Sequence, residues 1–366
     1  MSAKLIQALA AALDSRAALL QQLHAEQTDA YRLFHGSVEG QPGLTVDRYG
    51  ELLLIQTFHN PLPPAQLAAL EDFYAQAWPE LMPPPGRPKK ASDPLWGAAS
   101  RVCERGGPLI QIYNDRSTAH SRIGNPLPPE RLAQAMAPRT VRELGVNYRI
   151  QGRHDGQDPW LFLDLRAGRR RVMQEAPGKS LLNLFAYTCG VGIAAAHAGA
   201  RHVVNVDFAA SSLSVGRENA RLNDLPVRPR FIQSDVFAAL RQLSGLGQPK
   251  MVRGKRMPAF PPLEARTFDL VFLDPPRYAR SPFGVVDLIN DYPALFKPAL
   301  LCTAPGGTLI CCNNVAQVTR AAWLDQLERS ARKAGRPIRA LEWIAPEADF
   351  PSHDDQPPLK LVLLRV

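Results

Sequence analysis

The amino-acid sequence predicts an α/β protein: a mostly parallel, doubly wound sheet ending in an antiparallel strand, preceded by a small α+β domain. Three observations carry that expectation. From Leu181 onward, short apolar runs alternate regularly with amphipathic segments of helical length, the pattern of a parallel sheet with helices on both faces. The last two apolar runs, Arg339 to Ile344 and Leu359 to Val366, are joined by a loop without a helix, so they are most simply antiparallel neighbours. Glycines or acids close four of the earlier runs, at the strand ends where open α/β sheets bind ligands.

Taken in order, Met1 to Gln27 carries apolar residues at helical spacing with Asp14, Arg16, His24 and Glu26 between them. It reads as an amphipathic helix filling residues 1–30, not as a signal peptide, because no apolar core leads to a small-residue cleavage site. Gly40, Pro42 and Gly43 mark a turn, Leu44 to Val46 a strand, Arg48-Tyr49-Gly50 a second turn and Leu52 to Phe58 a further strand. A helix over Pro64 to Ala77, a Pro-rich surface loop from Pro79 to Pro94 and a strand at Leu109 to Tyr113 complete a small domain over 31–135.

The larger domain is expected over 136–366. It opens with strands at Val146 to Gln151 and Leu161 to Leu163, then an arginine-rich helix containing Arg166, Arg169, Arg170 and Arg171. Strand–helix pairs follow: 181–186 with 192–200, 203–206 with 210–223, 230–233 with 236–243, 268–273 with 288–300, and 307–312 with 321–334.

Composition narrows the class. At 366 residues and 45% hydrophobic content the chain has material for two cores. No stretch has the length of apolar sequence that a bilayer requires, and a cytoplasmic protein is expected. The five cysteines include no C-x-x-C pair, so neither a disulfide framework nor a metal site is expected. A net charge of +9 favours a polyanionic partner.

The chemistry-bearing residues sit at the strand ends. Asn183-Leu-Phe185-Ala186-Tyr-Thr-Cys-Gly190-Val-Gly192 places glycines where the backbone turns sharply into a helix, and the helix amides there attract an anionic group. Asp207 closes the second strand, at the spacing where a carboxylate accepts from two ribose hydroxyls. Asp235 follows the third strand, where it can accept from an adenine amino group; it equally fits a helix N-cap before Val236. Asp274-Pro275-Pro276 ends the fourth. Two prolines fix an extended, donor-free wall against which a planar base can be oriented. A carboxylate-binding turn, a hydroxyl acceptor and an amino acceptor together suit S-adenosylmethionine. The G-x-G-x-x-G of a dinucleotide-dependent oxidoreductase, the alternative enzyme class, is absent. A non-catalytic RNA-binding protein that kept the fold is the other alternative, and the intact acid series argues against it.

These pieces, with HGSVEGQPGLTVDRYG, FLDLRAGRRRV, VVNVDFAASSL, RENARLN, FDLVFLDPPRYARS and PGGTLI, resemble the bacterial 23S ribosomal RNA methyltransferases that include cytosine carbon-5 and guanine-N7 enzymes. The resemblance runs from Phe34 to Val366. It implies a Rossmann-like class I methyltransferase sheet, S-adenosylmethionine as cofactor and ribosomal RNA or the large subunit as partner. It also implies cofactor contacts at Asp164, Arg166, Asn183, Phe185, Ala186, Gly190, Asp207, Phe208, Asp235, Val236 and Asp274.

Three departures matter. Many members begin with a compact RNA-binding PUA domain, where this chain has one helix. RNA docking is therefore expected on the 31–135 domain and on basic groups: Arg149, Arg153, Arg166 to Arg171 and the insert Lys250 to Arg256. Arg277 separates Tyr278 from the two prolines, so the Asp-Pro-Pro-aromatic signature of exocyclic-amine methylation is not matched. Finally, carbon-5 chemistry requires a thiolate that adds to carbon 6 of the pyrimidine. In this chain Asn314 stands at that position, after Asn313, and Cys312 lies earlier on the strand. The asparagine pair resembles the guanine-N7 enzymes, whose target lone pair needs no covalent activation. Guanine N7 is therefore favoured, with Cys312 as nucleophile the rival. Asp274, Pro275, Pro276, Asn314 and Cys312 form the expected catalytic set.

Overall fold

The computed structural model describes residues 2–82, 108–118, 122–154, 159–247, 251–252, 255–257, 259–281, 284–289, 291–354 and 357–366. Most of the expected Pro-rich loop, Cys103, and residues 250, 253 and 254 of the basic insert lie outside the described residues. Chain contacts divide the protein into two compact units.

The first unit comprises Met1–Gly145, Ile150–Pro159 and Ala348–Phe350. It contains α1 (Ser2–Ala25), β1 (Ala30–His35), β2 (Leu44–Tyr49), β3 (Leu52–Thr57), α2 (Pro64–Leu81), β4 (Ile110–Asp115), α3 (Pro129–Met136) and β5 (Arg139–Glu143). The sheet order is β1-β2-β3-β4, antiparallel except for the parallel β3–β4 pair. The apolar stripe of α1 (Leu5, Leu9, Leu23) and that of α2 (Leu70, Tyr74, Trp78) bury against Tyr31, Phe34 and Ile55. The N-terminal helix is thus part of the small unit's core, and the contact division falls at Val146 instead of residue 136. Sequence reasoning missed β1. Its burial repeats without period-2 alternation, because both faces of this strand are covered.

The second unit comprises Val146–Arg149, Trp160–Glu347 and Pro351–Val366. After β6 (Val146–Ile150) comes a 3-10 turn at Leu163–Leu165, not the expected strand at 161–163. Leu161, Leu163 and Leu165 are buried alternately and so imitate a strand period, but the chain enters a helix at Arg166. That helix, α4 (Arg166–Glu175), is followed by β7 (Ser180–Leu184), α5 (Gly190–His197), β8 (His202–Asp207), α6 (Ala210–Arg221), β9 (Arg230–Gln233) and α7 (Val236–Leu243). A short hairpin, β10 (Met251–Val252) and β11 (Lys255–Arg256), precedes β12 (Phe268–Leu273); a second, β13 (Tyr278–Ser281) and β14 (Gly284–Asp287), follows it. The unit closes with α8 (Tyr292–Cys302), β15 (Thr303–Asn313), α9 (Arg320–Lys333), β16 (Ala340–Ile344) and β17 (Lys360–Arg365).

The seven-stranded sheet has the order β16-β17-β15-β12-β7-β8-β9. Its strands from β15 to β9 are parallel, while β17 is antiparallel to both β15 and β16. The antiparallel strand expected at the end of the sheet therefore lies one place in from the edge. One face (Leu182, Leu184, Leu273, Cys311, Val362) is covered by Leu240, Phe296 and Trp323. The other (Leu181, Phe272, Ile310, Cys312) meets Val172 of α4 and Ala195 of α5. This arrangement brings the carboxyl ends of β7, β8, β12 and β15 to one rim. Among the described residues no helix is long and apolar enough to cross a membrane.

Candidate active site

The rim is shaped first by the loop between β7 and α5. Phe185, Tyr187 and Cys189 all adopt left-handed backbone, with φ of 57°, 48° and 62°. Each costs about 1 kcal/mol or more for a residue with a Cβ, so the surroundings must hold the loop in place. The Ala186 amide donates to Val206 O at 3.0 Å and the Cys189 amide to Ala186 O at 2.7 Å. The Tyr187 amide donates to Asp207 Oδ2 at 2.8 Å, and Asn219 Nδ2 donates to Thr188 O at 2.9 Å. The amides of Ala186, Tyr187 and Cys189 are thus spent on protein acceptors, which fixes the loop. The amides of Gly190, Val191 and Gly192 add the unfilled donors of the first helical turn.

The two glycines do different things. A Cβ on Gly192 would lie 2.0 Å from Asn205 Oδ1, so only glycine lets α5 settle on β8 there; a Cβ on Gly190 would meet nothing closer than 3.7 Å. Asn183 does not reach the rim as expected. It is 2% exposed, and its Nδ2 donates to Asn205 Oδ1 at 2.9 Å beneath α5.

Asp207 stands where the sequence placed it, at the end of β8. Oδ2 braces the Tyr187 amide and Oδ1 accepts from the Ala209 amide at 2.8 Å. Its pKa is raised, because burial outweighs these backbone bonds. Phe208 beside it is 64% exposed, a ring presented to solvent at the rim. Asp235 takes its second expected part: Oδ1 accepts from the Phe237 and Ala238 amides at 2.8 and 3.1 Å, capping α7. Val236 follows it at the start of α7. Its side chain is 2% exposed and belongs to the core under α7.

The arginine-rich helix is not a basic patch. Arg166 is fully buried with Glu347 at 3.5 Å, Arg170 pairs with Glu347 at 2.7 Å and Arg171 with Glu342 at 2.6 Å. Buried Arg169 donates to Phe162 O at 2.8 Å and lies over the Tyr148 ring. Arg149 faces Glu218 at 3.4 Å. Within the first unit, Arg153 donates to Asn114 Oδ1 and to the carbonyls of Tyr113 and Asn125. These cations are spoken for by acids, amides and carbonyls, most of them far away in sequence, which composition cannot reveal.

On the other half of the rim, Asp274 follows β12, with Pro275 buried and Pro276 partly so. Its carboxyl is pushed up to about 7, first by burial and then by the neighbouring Asp164 carboxyl; the Cys312 thiol and the Arg169 guanidinium act the other way. Cys312 itself is fully buried, and burial, with Asp274 second, holds its thiol well above the usual range. Burial and the raised pKa disfavour the thiolate that a nucleophile needs. Asn314 is exposed beyond it. Asn313 is fully buried. Its Oδ1 accepts from the Val315 amide at 2.9 Å, which fixes the orientation of the amide group, and its Nδ2 finds no partner among the described residues.

Sequence reasoning missed three contributors. Tyr148 donates from its hydroxyl to Gly190 O at 3.2 Å, Arg169 faces Asp274, and buried Lys360 donates to the carbonyls of Val315 and Pro358 at 3.0 and 3.2 Å. A signal was available only for Lys360, a charge just inside the apolar run Leu359 to Val366, whose other charge is Arg365 near its end.

The geometry agrees with what the chain resembles among known proteins. Residues 132–365 match the profile of the S-adenosylmethionine-dependent methyltransferase family. A ribosomal RNA large subunit methyltransferase from Deinococcus radiodurans is 30% identical over 335 residues, spanning 91% of this chain and 71% of the relative. Ribosomal RNA large subunit methyltransferase I from Aeromonas hydrophila is 27% identical over 347 residues, 94% of this chain and 75% of the relative. A crystal structure of a methyltransferase complexed with SAH superposes with a TM-score of 0.71 at 22% identity, covering 100% of this chain and 82% of that one. The last shows the shared fold. The profile match spans both halves of the rim, and the dinucleotide-dependent oxidoreductase is set aside. The chain belongs to the S-adenosylmethionine-dependent methyltransferases, and S-adenosylmethionine is its cofactor.

Proposed function

We propose that the protein methylates a base of large-subunit ribosomal RNA, at guanine N7 in preference to cytosine carbon 5. The relatives named above carry that substrate in their names, and the +9 net charge suits a polyanion. The cytoplasm expected from the sequence is where such RNA is made and assembled.

The cofactor supplies a methyl group on a sulfonium. The β7–α5 loop and first turn of α5 receive its carboxylate, Asp207 its hydroxyls, and Phe208 a face of its adenine. Asp164 stands with Asp274 at the reactive end. Arg166, locked to Glu347, holds this segment in place and does not itself touch ligand. Pro275 and Pro276 present a stiff wall that aligns the base for in-line attack, where orientation supplies much of the rate.

One observation carries the choice of atom: the only thiol beside Asp274 among the described residues is fully buried and held protonated. Carbon-5 chemistry needs a thiolate that can reach the base edge-on. Guanine N7 brings its own lone pair, and its neighbour O6 can accept from an amide donor such as Asn313 Nδ2 or exposed Asn314.

Mass spectrometry of nucleosides from large-subunit RNA, with and without the gene, tests the proposal. Loss of 7-methylguanosine is the expected result. Loss of 5-methylcytidine would move the chemistry to carbon 5, and an unchanged nucleoside profile would remove ribosomal RNA as the substrate.

A further inference from the structure

We infer that Cys312 is a positioning residue: its thiol donates to the Asp274 carboxylate and holds it on the sheet face that carries Asp164 and Arg169. The inference rests on the placement of Asp274 in the active site proposed above.

Strand register makes the pair. In the parallel β12–β15 ladder, Phe272 stands beside Ile310 and Leu273 beside Cys311. One step further along both chains sets Asp274 next to Cys312. Side chains alternate between faces, and Cys312 shares its face with Phe272 and Ile310, while Cys311 and Leu273 point to the other. Asp274 and Cys312 are therefore side by side on the face beneath α4. That neighbourhood sets the thiol against the carboxylate, and the thiol's presence favours the charged form of Asp274. The end of β15 is pinned from behind, where the Tyr292 hydroxyl of α8 donates to Cys312 O at 2.9 Å.

A buried carboxylate needs donors, since an unsatisfied one is costly. The charged and titratable groups set against Asp274 are Asp164 from the 3-10 turn, Arg169 from α4 and Cys312 from β15, with Tyr292 from α8 behind the thiol. Asp164 opposes ionisation; Arg169 and Cys312 favour it. The proton stays on sulfur, because burial and both carboxyls raise the thiol. No bond to Cys312 forms or breaks in the reaction. Its chemistry is that of a weak, soft donor whose place is set by the ladder.

The test measures methyl transfer from labelled S-adenosylmethionine to large-subunit RNA of gene-deleted cells across neutral pH, for wild type, C312A and C312S. Losing a donor to the charged form raises the carboxyl pKa. In C312A the acid limb of kcat should move up by about one pH unit, lowering kcat about tenfold on that limb, with KM for RNA within about twofold. C312S, with a hydroxyl donor, should return the limb to its wild-type position. Superimposed profiles for C312A and wild type would make the thiol a mere core filler. Folded C312A and C312S proteins that are both dead at every pH would make it a nucleophile. Either result overturns the inference.

A second readout needs no RNA. The infrared S–H stretch of Cys312, isolated as wild type minus C312A, should lie below that of a free thiol, as in a hydrogen-bonded one, and relax in Asp274→Leu. An unshifted band overturns the inference alone. A shifted band in a wild-type protein that methylates no ribosomal RNA sinks the proposed substrate and leaves the hydrogen bond standing.

Discussion

The two halves of the rim are built on different principles. At β7 and β8, the loop of left-handed residues is tied down at nearly every polar group, and Asp207 spends both oxygens on backbone amides. At β12 and β15, polar groups are left in tension: a carboxyl pushed up to about 7, a thiol held well above its usual range, and a buried amide donor without an acceptor among the described residues. The first half has the character of a rigid receptacle for a ligand that never changes. The second has donors and acceptors whose account closes only when a base is present. Preorganisation is paid for by the backbone in one place and left to the substrate in the other.

Breaking the rigid half should have the largest effect. Asp207→Ala removes the brace on Tyr187 as well as the expected hydroxyl acceptor, and should weaken S-adenosylhomocysteine binding by about 100-fold in calorimetry. An affinity within a few-fold of wild type would show that the loop holds itself and that Asp207 is not at the cofactor.

The responsive half should behave oppositely. Asn313→Ala should leave S-adenosylhomocysteine affinity within about twofold while kcat/KM for RNA falls about 10- to 30-fold, the worth of one hydrogen bond to a buried acceptor. Equal losses in both measurements would erase the contrast between the halves.

Asp274 sharpens it through pH. A carboxyl whose folded pKa lies above its unfolded value contributes stability that is complete below the unfolded pKa and lost as pH rises through the folded one. Between about pH 4 and about pH 7 the wild-type protein should therefore lose about 3–4 kcal/mol relative to Asp274→Asn, read from denaturant unfolding. A constant difference between the two proteins across that window would mean Asp274 is ionised throughout.

The smallest effect is expected at Tyr148→Phe. Loss of the hydroxyl bond to Gly190 O should cost about 0.5–1 kcal/mol of stability, with cofactor affinity lowered slightly through the α5 turn. Unchanged melting and binding would show that the loop does not depend on this support.

What could be read in advance followed from local chemistry. The strand limits 230–233 and 268–273, and the helix 236–243, agree with the structure to the residue, because β-branched and aromatic runs and the Asp235 cap are local signals. Asp207 and Asp274 were found because strand ends in a parallel sheet converge, so spacing alone gathers them. Leu161 to Leu163 misled because buried alternation without a pairing strand is not a strand. The side chains of Asn183 and Val236 turn inward, because proximity in sequence to a site does not say which face a side chain takes.

By itself, the sequence determined the alternation of strand and helix, the acids at the rim and the family, since each depends on a few neighbouring residues and on spacing. Only the tertiary structure decided which charges are available. Arg170 meets Glu347 and Arg171 meets Glu342 from positions 177 and 171 residues away, and the β12–β15 register sets Leu273 beside Cys311, one step before Asp274 and Cys312. Whether an ionisable group is a patch, a brace or a donor depends on solvent access and on distant partners, and both exist only once the chain has folded.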